Sequence, residues 1–378
     1  MNQSVKVIAQ GTVMAQPNRV LGYAAWPSVT KDAEGDLVVA FSGNRIMHVC
    51  PYGKVLLRKS RDEGRTWSAP IIGIDTPLDD RDAGILYMGN QKMLLSTFNN
   101  SRAFQKKEAD RGVYGPRERT EMVKAYVSNV TDEMEQQYLG SLISVSSDNG
   151  FSWQEPIKVP VSAPHGPNLL ADGSLIYAGT PVGPKDPNFP IAVYHSKDGY
   201  HFHKLADIPK CPEFSFCNYA EPHILELPSK GDAASKLLLH IRIDEPGKPY
   251  EERIFSILQS ISEDGGKTWS IPAPTGAEGA PPHLLRHSSG AVICSYGRRK
   301  PPYGLEAMVS WDEGRSWTKG YTLWDKGETA DLGYPCTTEL ANGDLFTVYY
   351  MNRKKVQSEA GNYWGTASIE WIRWRMPQ

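Results

Sequence analysis

The sequence predicts an all-β protein, a six-bladed β-propeller with a partly helical insertion in its second blade. Three observations support this fold class: 34 glycines and 28 prolines accompany ten tryptophans, one turn motif recurs along the chain, and one hairpin pattern recurs six times. Turn-forming residues at this density, in a chain of 378 residues that is 40% hydrophobic, favour many short strands over a few long helices. The same hydrophobic content excludes a disordered chain.

The turn motif has the pattern Ser-x-Asp-x-Gly-x-Thr/Ser-Trp. Its four close copies are SRDEGRTW (60–67), SSDNGFSW (146–153), SEDGGKTW (262–269) and SWDEGRSW (310–317), and a degenerate copy, SKDGYHFH, occupies 196–203. The carboxylate of such a turn accepts hydrogen bonds from its own loop, and glycine tolerates a positive φ. We therefore expect the aspartates to be structural and the closing tryptophan to pack beneath the next sheet.

The hairpin pattern lies out of phase with the turn motif. Each copy has a proline, an alternating strand, a polar glycine turn and a second apolar strand; the copies are 26–41, 82–98, 166–179, 221–242, 281–299 and 334–350, with alanine replacing proline in the second. Period-two alternation around a turn is typical of a β-hairpin. Six hairpins and five turns predict six four-stranded blades in one domain, residues 1–378. The last blade should end with 368–376 and be closed by an N-terminal strand near 5–13.

Residues 100–140 interrupt the repeat pattern between the second hairpin and its turn motif. They are charged and contain the helix-like segments TEMVKAYVSNV and TDEMEQQYL. We interpret them as an inserted flap in the second blade, which roofs the active face or mediates oligomerisation.

Charge and cysteine content limit the possible environments and partners. Lys and Arg total 41 against 43 Asp and Glu, so the chain lacks the basic excess of a nucleic-acid-binding protein. No window is long and apolar enough to span a membrane, and the N-terminus does not resemble a signal peptide. Five sparse cysteines suit a reducing compartment. We expect a cytoplasmic protein without membrane or nucleic-acid partners.

The first strand of each propeller blade lines the central channel, so the residue before each repeated proline should occupy an equivalent place on a ring. These ring residues are Trp26, Asp82, Gly166, Glu221, Pro281 and Tyr334. Histidines and arginines lie near them in the sequence: His165, His223, His283, Arg242, Arg298 and Arg299. Polar groups in this arrangement indicate a functional site on the axis.

The turn motifs and ring residues resemble those of the sialidase (neuraminidase) superfamily, whose BNR or Asp-box repeats form a six-bladed propeller. In that family a tyrosine is the nucleophile, a glutamate takes its proton, three arginines bind the sugar carboxylate and an aspartate is the acid/base. Segments AEPHILELPSKGDAASKLLLHIR and GYPCTTELANGDLFTVYY map Glu221 onto the glutamate, Arg242 onto one arginine and Tyr334 onto the nucleophile. Arg298 or Arg299 lies where another arginine is expected. The resemblance implies a retaining exo-α-sialidase-like glycosidase that acts on a carbohydrate without a cofactor.

The resemblance is incomplete at the first arginine. The family has Arg-Ile-Pro, whereas this chain has Ala-Trp-Pro at 25–27. Arg45, in FSGNR, resembles a second arginine of the family. Trp26 then becomes either a sugar-stacking residue or a packing residue. With the carboxylate clamp incomplete, a different acidic or neutral sugar is the alternative substrate.

The acid/base aspartate of the family is also missing, since a cysteine occupies the expected position with His48 nearby. Asp82 or His48 is the candidate acid, and Arg81 is a candidate carboxylate ligand. We expect the neighbouring Asp79 and Asp80 to be solvated loop residues.

His165, His223 and His283 each lie where a hairpin begins and admit several interpretations: metal ligands, acid and base, or caps for backbone groups. We predict no metal site. As acid and base they would fit a second hypothesis, a propeller-type polysaccharide lyase that acts on uronic-acid sugars with His, Tyr and Arg. A third hypothesis is a non-catalytic carbohydrate-binding propeller. On each hypothesis the partner is a carbohydrate, and a homo-oligomer is possible.

Overall fold

The computed structural model describes most of the chain: residues 3–184, 186–228, 235–249, 252–357 and 363–376. Its strands form six sheets, one for each hairpin found in the sequence. Two strands precede the first hairpin and join later sheets, β1 (Gln3–Ser4) and β2 (Lys6–Met14).

The first two sheets have four strands each, and strands that follow one another in the chain are neighbours. The first sheet contains β3 (Tyr23–Lys31), β4 (Leu37–Arg45), β5 (Lys54–Ser60) and β6 (Ile71–Ile74). The second contains β7 (Asp79–Gly89), β8 (Lys92–Asn100), β9 (Ser141–Ser146) and β10 (Ile157–Val159). This up-and-down order is that of propeller blades.

Three helices occupy the insertion between β8 and β9: α1 (Arg102–Asp110), α2 (Arg117–Asn129) and α3 (Asp132–Tyr138). Ser101 and Thr131 begin α1 and α3, since each hydroxyl accepts a hydrogen bond from a backbone N–H in the first turn. The predicted partly helical insertion is confirmed.

The third and fourth sheets follow the insertion. The third contains β11 (Val161–Ser162), β12 (Asn168–Leu169), β13 (Leu175–Pro181), β14 (Ile191–Ser196) and β15 (His203–Ile208), with β11 and β12 both paired to β13. The fourth contains β16 (Asn218–Leu227), β17 (Lys236–Asp244), β18 (Phe255–Ser262) and β19 (Ala273–Pro274). A short 3₁₀ helix, Pro212–Phe214, lies between the two sheets in the chain. The predicted turn of the fourth hairpin, at 229–234, lies outside the described residues.

The last two sheets incorporate the N-terminal strands. The fifth contains β20 (Pro282–Arg286), β21 (Val292–Arg298), β22 (Tyr303–Ser310) and β23 (Thr318–Gly327), with β1 parallel to β23. The sixth contains β24 (Leu332–Glu339), β25 (Leu345–Gln357) and β26 (Tyr363–Arg375), with β2 as its fourth strand. The predicted six-bladed propeller, completed by an N-terminal strand in the sixth blade, is confirmed.

The turn motifs lie between the third and fourth strands of their blades and hold themselves together. In one of them the Asp264 carboxylate accepts hydrogen bonds from the backbone N–H and the hydroxyl of Thr268, at 2.9 and 2.6 Å, and from Ser262. The same contacts recur at Asp62, Asp148 and Asp312. They lower the pKa of Asp148, Asp264 and Asp312 to about 2. The structural role expected for these aspartates agrees with their contacts.

Three of the four closing tryptophans of the turn motifs fill cores between neighbouring blades. Trp153 packs between the first and second sheets, Trp269 between the third and fourth, and Trp317 between the fourth and fifth. For these three, the expectation that the tryptophan packs beneath the next sheet is wrong. Each follows the third strand of its own blade and reaches back into the apolar core shared with the preceding one.

The chain divides into two compact units. The first consists of Met1–Gln10, Val159–Thr347 and Ile372–Gln378, and the second of Gly11–Lys158 and Val348–Trp371. The single domain stays a prediction, and each unit is described by itself below. No helix in the described part of the chain has the length and apolarity needed to cross a bilayer.

Candidate active site

Several of the ring residues share an uncommon backbone conformation. φ is 53° at Trp26, 51° at Asp82, 50° at Glu221 and 50° at Tyr334, and 75° at Gly166. The pairing register shifts across this position in β3–β4, β7–β8 and β16–β17. A bulge of this kind re-aims the side chain of its strand. The positions that the sequence relates to one another are therefore related in backbone geometry.

The first unit brings together the residues mapped onto nucleophile, base and arginine. Tyr334 on β24 donates its hydroxyl proton to Glu221 Oε1 at 2.5 Å. Arg242 Nη1 donates to Glu221 Oε2 at 2.5 Å and lies 3.4 Å from Tyr334 Oη. The other amino group, Nη2, lies 3.3 Å from Asp244 Oδ1. The register of β16 and β17, in which Ala220 faces Arg242, sets this arrangement.

Charge determines the protonation state of this group, which we call the Tyr334 cluster (Tyr334, Glu221, Arg242, Asp244 and Arg299). Burial by itself would raise the pKa of Glu221. The positive charges of Arg242 and Arg299 and the hydrogen bond from Tyr334 outweigh burial, so the pKa of this carboxyl group lies below its usual value. Although burial lowers the pKa of Arg242, the Glu221 carboxylate raises it well above the ordinary value. Glu221 is therefore an ionised acceptor hydrogen-bonded to a phenol.

The two consecutive arginines of β21 and its following loop have different surroundings. Arg299 lies with its guanidinium carbon 5.5 Å from the ring centroid of Tyr334, and it donates to the carbonyl oxygens of Ala280 and Ala330 at 2.9 and 3.2 Å. Arg298 forms a salt bridge of 2.7 Å with Glu306. Of the two candidates, Arg299 is the one beside the tyrosine.

The three histidines form a buried group in the first unit, with ring centroids 4.3 to 5.6 Å apart. His223 Nδ1 accepts the N–H of Leu284 at 3.0 Å, and His283 Nδ1 accepts that of Thr337 at 3.4 Å. Burial lowers the pKa of His165 to about 4 and the pKa values of His223 and His283 well below the usual value. These contacts favour the capping interpretation for two of the three. Among the described residues, no group of three or more His, Cys, Asp or Glu side chains suits a metal ion.

In the second unit, three of the remaining predicted site residues, Arg45, Arg81 and His48, lie around Trp26. The guanidinium carbons of Arg81 and Arg45 lie 4.2 and 4.9 Å from the centroid of its ring, and the His48 ring lies 4.8 Å away, edge to face. Trp26 is 1% exposed. Its indole therefore packs between two cations instead of presenting a stacking face to solvent.

Arg45 is fully buried and pairs with the carboxylate of Asp79. Arg45 Nη2 donates to Asp79 Oδ1 at 2.5 Å, and neither side chain is exposed. The other Asp79 oxygen accepts hydrogen bonds from Asn100 at 3.0 Å and from Gln105 of α1 at 2.8 Å. The geometry gives Arg45 a structural role, in an ion pair that joins the first two blades to the insertion.

The expectation that Asp79 and Asp80 are solvated loop residues is wrong, because they begin β7 and are fully buried. Asp80 accepts hydrogen bonds from the backbone N–H and the hydroxyl of Thr76, at 2.7 and 2.8 Å. Burial nevertheless raises the pKa of Asp80 to about 7. A sequence rich in consecutive charges looks solvated, but these charges have partners from other elements.

The candidate acids differ in what their neighbours allow. His48 Nε2 lies 3.2 Å from Arg81 Nη2, and an arginine can only donate, so this nitrogen is the unprotonated one. The other ring nitrogen lies 3.2 Å from the hydroxyl of Tyr23. Burial raises the pKa of the Cys50 thiol to about 11, so the cysteine does not replace the missing aspartate as an acid. Asp82 on β7, 5% exposed, stays the better candidate.

Four residues of these clusters were not anticipated. Asp244 could have been found from the sequence, since it lies two residues after Arg242 and therefore shares its face of β17. Cys336, whose Sγ lies 3.2 Å from His283 Nε2, likewise follows Tyr334 by two. Gln105 comes from the insertion, and no sequence pattern indicated its role. No sequence pattern indicated the role of Gly53 either. A Cβ at this position would lie 2.0 Å from an amino group of Arg45, so a larger residue would collide with it.

The six sheets define a class of fold, the six-bladed propeller of the sialidase-like type. The family described as BNR repeat-like domain matches residues 91–347, more than half of the chain, and the chain belongs to this family. No curated protein matches the sequence.

Solved structures that resemble the chain share this fold. A protein of unknown function from Dyadobacter fermentans DSM 18053 has a TM-score of 0.72 and 20% identity, over 99% of this chain and 100% of that one. The intramolecular trans-sialidase from Ruminococcus gnavus, in complex with oseltamivir carboxylate, has a TM-score of 0.63 and 13% identity, over 99% of both chains. An α-L-arabinanase from Penicillium chrysogenum, complexed with arabinobiose, has a TM-score of 0.59 and 14% identity, over 97% of this chain and 98% of that one. At these identities the likeness shows the fold.

Proposed function

We propose that the chain is a retaining glycoside hydrolase that releases a terminal, acidic sugar, with Tyr334 as nucleophile and Glu221 as its base. The main support is the 2.5 Å hydrogen bond from the Tyr334 hydroxyl to an ionised glutamate that Arg242 holds in place. A phenol paired with a general base is an activated nucleophile. Sialidase-like and arabinanase-like neighbours add support for glycosidase chemistry on this fold.

In the first half of the proposed reaction, Tyr334 Oη bonds to the anomeric carbon and its proton passes to Glu221 Oε1. The bond between the anomeric carbon and the leaving-group oxygen breaks, and that oxygen takes a proton from an acid. The ring position of Asp82 makes it our candidate for this acid. Arg242, 3.4 Å from Tyr334 Oη, stabilises negative charge that develops on the phenol oxygen.

In the second half, water adds to the anomeric carbon and the bond to Tyr334 breaks. The departing phenolate takes back its proton from Glu221, and the conjugate base of the acid accepts the proton of the water. Two displacements at one carbon return its original configuration.

An acidic substrate is supported by the neutral nucleophile and by the arginines beside it. A carboxylate nucleophile would repel an anionic sugar, whereas a neutral phenol does not. Two guanidinium groups, of Arg242 and Arg299, lie beside the nucleophile, and a guanidinium is the side chain best suited to binding a sugar carboxylate. With Asp244 already 3.3 Å from one amino group, a bound carboxylate would share Arg242 with it.

The first test combines a substrate panel with one conservative variant. Sialosides, uronides and rhamnosides are offered to the protein, and product configuration is followed by ¹H NMR. We expect retention with an acidic sugar, and Tyr334→Phe should lower kcat by on the order of 10³-fold or more. Tyr194→Phe, a buried tyrosine of β14, is the matched control and should keep wild-type turnover. Unchanged activity in Tyr334→Phe would exclude this mechanism.

The same panel separates the alternatives. A polysaccharide lyase would give an unsaturated product that absorbs in the ultraviolet, and a binding propeller would bind without turnover. The lyase has weaker support, because the histidines it would use are 4 to 8% exposed and face one another.

A further inference from the structure

A cavity of about 190 Å³ lies in the first unit, at the beginning of β16. Its wall comes from the end of β13, from segment 186–190 and from segment 210–219. We call it the Tyr219 pocket. Its volume suits one sugar ring and is below the roughly 300–1,000 Å³ of sites for drug-sized ligands.

The Tyr219 pocket and the Tyr334 cluster share one carboxylate. Asn218, which lines the pocket, faces Asp244 across β16 and β17, and its amide lies 3.4 Å from Asp244 Oδ2. The other Asp244 oxygen lies 3.3 Å from Arg242. Two direct contacts, both made by Asp244, therefore connect the pocket wall with Arg242.

The lining of the pocket combines apolar surface with a few polar groups. Pro187, Pro190 and Tyr219 supply the apolar part. A carboxylate, an ammonium and an amide supply the polar part, from Asp186, Lys210 and Asn218. A sugar ring needs both, since its C–H faces pack on apolar surface while its hydroxyls exchange hydrogen bonds with charged and amide groups.

The charged groups of the lining do not favour a ligand of either sign. Asp186 and Lys210 oppose each other in sign, so the pocket has no net charge from these two. Lys210 Nζ also donates to the Ser215 carbonyl at 2.8 Å and lies 5.6 Å from the Tyr219 ring centroid. The ammonium is thus already held in place, as a positioned donor for a hydroxyl.

The two segments of the wall are joined to each other and to the sheet. The N–H of Lys210 donates to the Asn188 carbonyl at 3.1 Å, and that of Cys211 to the Tyr219 hydroxyl at 2.9 Å. Phe216, which precedes a lining residue, is 54% exposed. The segment that forms this wall therefore also presents an aromatic side chain to solvent.

We propose that the Tyr219 pocket binds the first sugar of the leaving group, a neutral pyranose, while the terminal acidic sugar occupies the Tyr334 cluster. This assignment rests on the proposed hydrolase function. It makes the protein selective for oligosaccharides, because a glycoside with a simple aglycone leaves the pocket empty.

The test compares two substrates of the same terminal sugar, an oligosaccharide and its methyl glycoside. Lys210→Ala should lower kcat/KM for the oligosaccharide roughly tenfold, about the value of one hydrogen bond to a charged group, and leave the methyl glycoside unchanged. Asp186→Ala should act in the same direction. Lys204→Ala, on the neighbouring strand β15 and outside the pocket, is the matched control and should change neither. Equal loss on both substrates, or no loss in either pocket variant, would overturn the assignment.

A binding measurement keeps this outcome separate from failure of the proposed function. Lactose, a neutral disaccharide, is titrated into wild-type protein and into Lys210→Ala, with ligand-observed NMR as the readout. Weaker binding in the variant supports the pocket even if no glycoside is hydrolysed. Equal binding, or none to either protein, counts against the pocket whatever the enzyme assays show.

Discussion

Trp26, Asp82, Glu221 and Tyr334 share a left-handed backbone conformation although their side chains differ. The fold therefore determines the backbone at these positions, and the chemistry of the site determines the side chain. A non-glycine residue with φ near +50° costs on the order of 1–3 kcal/mol, so it persists only where the surrounding structure demands it. Four unlike side chains adopt the same conformation at related positions. The backbone is thus a property of the blade, and the side chain at each position can change without reshaping the strand.

The side chain of Asp82 can be changed without disturbing its backbone, because asparagine tolerates the left-handed region well. If Asp82 is the acid, Asp82→Asn should slow glycosides with a poor leaving group by about 10²–10⁴-fold. Aryl glycosides with an acidic phenol need little protonation and should be slowed far less at the glycosylation step. The measurement is kcat/KM against leaving-group pKa for both proteins.

Asp80→Asn is the control for this experiment, since Asp80 is also buried in β7 and has Thr76 as its partner. It should leave the dependence on leaving group as in the wild type. Equal slowing of both glycoside classes in Asp82→Asn would remove Asp82 from the mechanism.

The insertion depends on a charge that the blades bury. Asp79 binds Arg45 of β4 and Gln105 of α1 with no exposure to solvent. Asp79→Ala leaves the guanidinium buried without its partner and should lower the free energy of unfolding by about 3–5 kcal/mol. Urea denaturation measures the loss, and proteolysis within α1 should accelerate.

The matched control for Asp79 is Asp75→Ala, four residues earlier. Its carboxylate pairs with Lys54 while 43% exposed, so its removal should cost about 0–1 kcal/mol. Similar effects of the two substitutions would show that the buried pair does not stabilise the attachment of the insertion.

The blades could be predicted from sequence and the buried charges could not, for one physical reason. A hairpin or a turn motif is local, so its alternation, its glycine and its hydrogen bonds lie within about 20 residues of one another. The hydrogen bonds of Asp79 join β4, β7 and α1, and the residues that make them do not recur at a regular spacing in the sequence. The Tyr334–Glu221 pair was predictable across 113 positions only because each residue occupies the same place in its own repeat.

Protonation should link the stability of the whole chain to pH between 4 and 6.5. Burial lowers the pKa of His165 and His240 to about 4, and those of His223 and His283 also lie well below the usual value. In the unfolded chain a histidine titrates near 6.5. The unfolded state therefore binds protons that the folded state does not, and stability that is complete above pH 6.5 is lost as pH falls. At pH 5 the loss is about 2 kcal/mol for each histidine whose folded pKa is about 4.

Asp80 changes the stability in the opposite direction as pH falls. The pKa of Asp80 is raised to about 7 in the fold, so its contribution grows as pH falls from 7. Four histidines outnumber it, and the net change stays a loss. Carboxyl groups with lowered pKa values, Glu221 among them, lose their contribution only at lower pH, near and below their unfolded values of about 4.

A single variant isolates the histidine contribution. His240 is fully buried between Cys294 and Gln259, and His240→Gln removes one proton-binding group from this balance. The free energy of unfolding, measured by urea at pH 7, 6 and 5, should fall less steeply in the variant than in the wild type. His203→Gln, an exposed histidine at the start of β15, should keep the wild-type slope. A variant whose curve runs parallel to that of the wild type would mean that His240 binds its proton equally well in both states, and burial would then not be what keeps these imidazoles neutral.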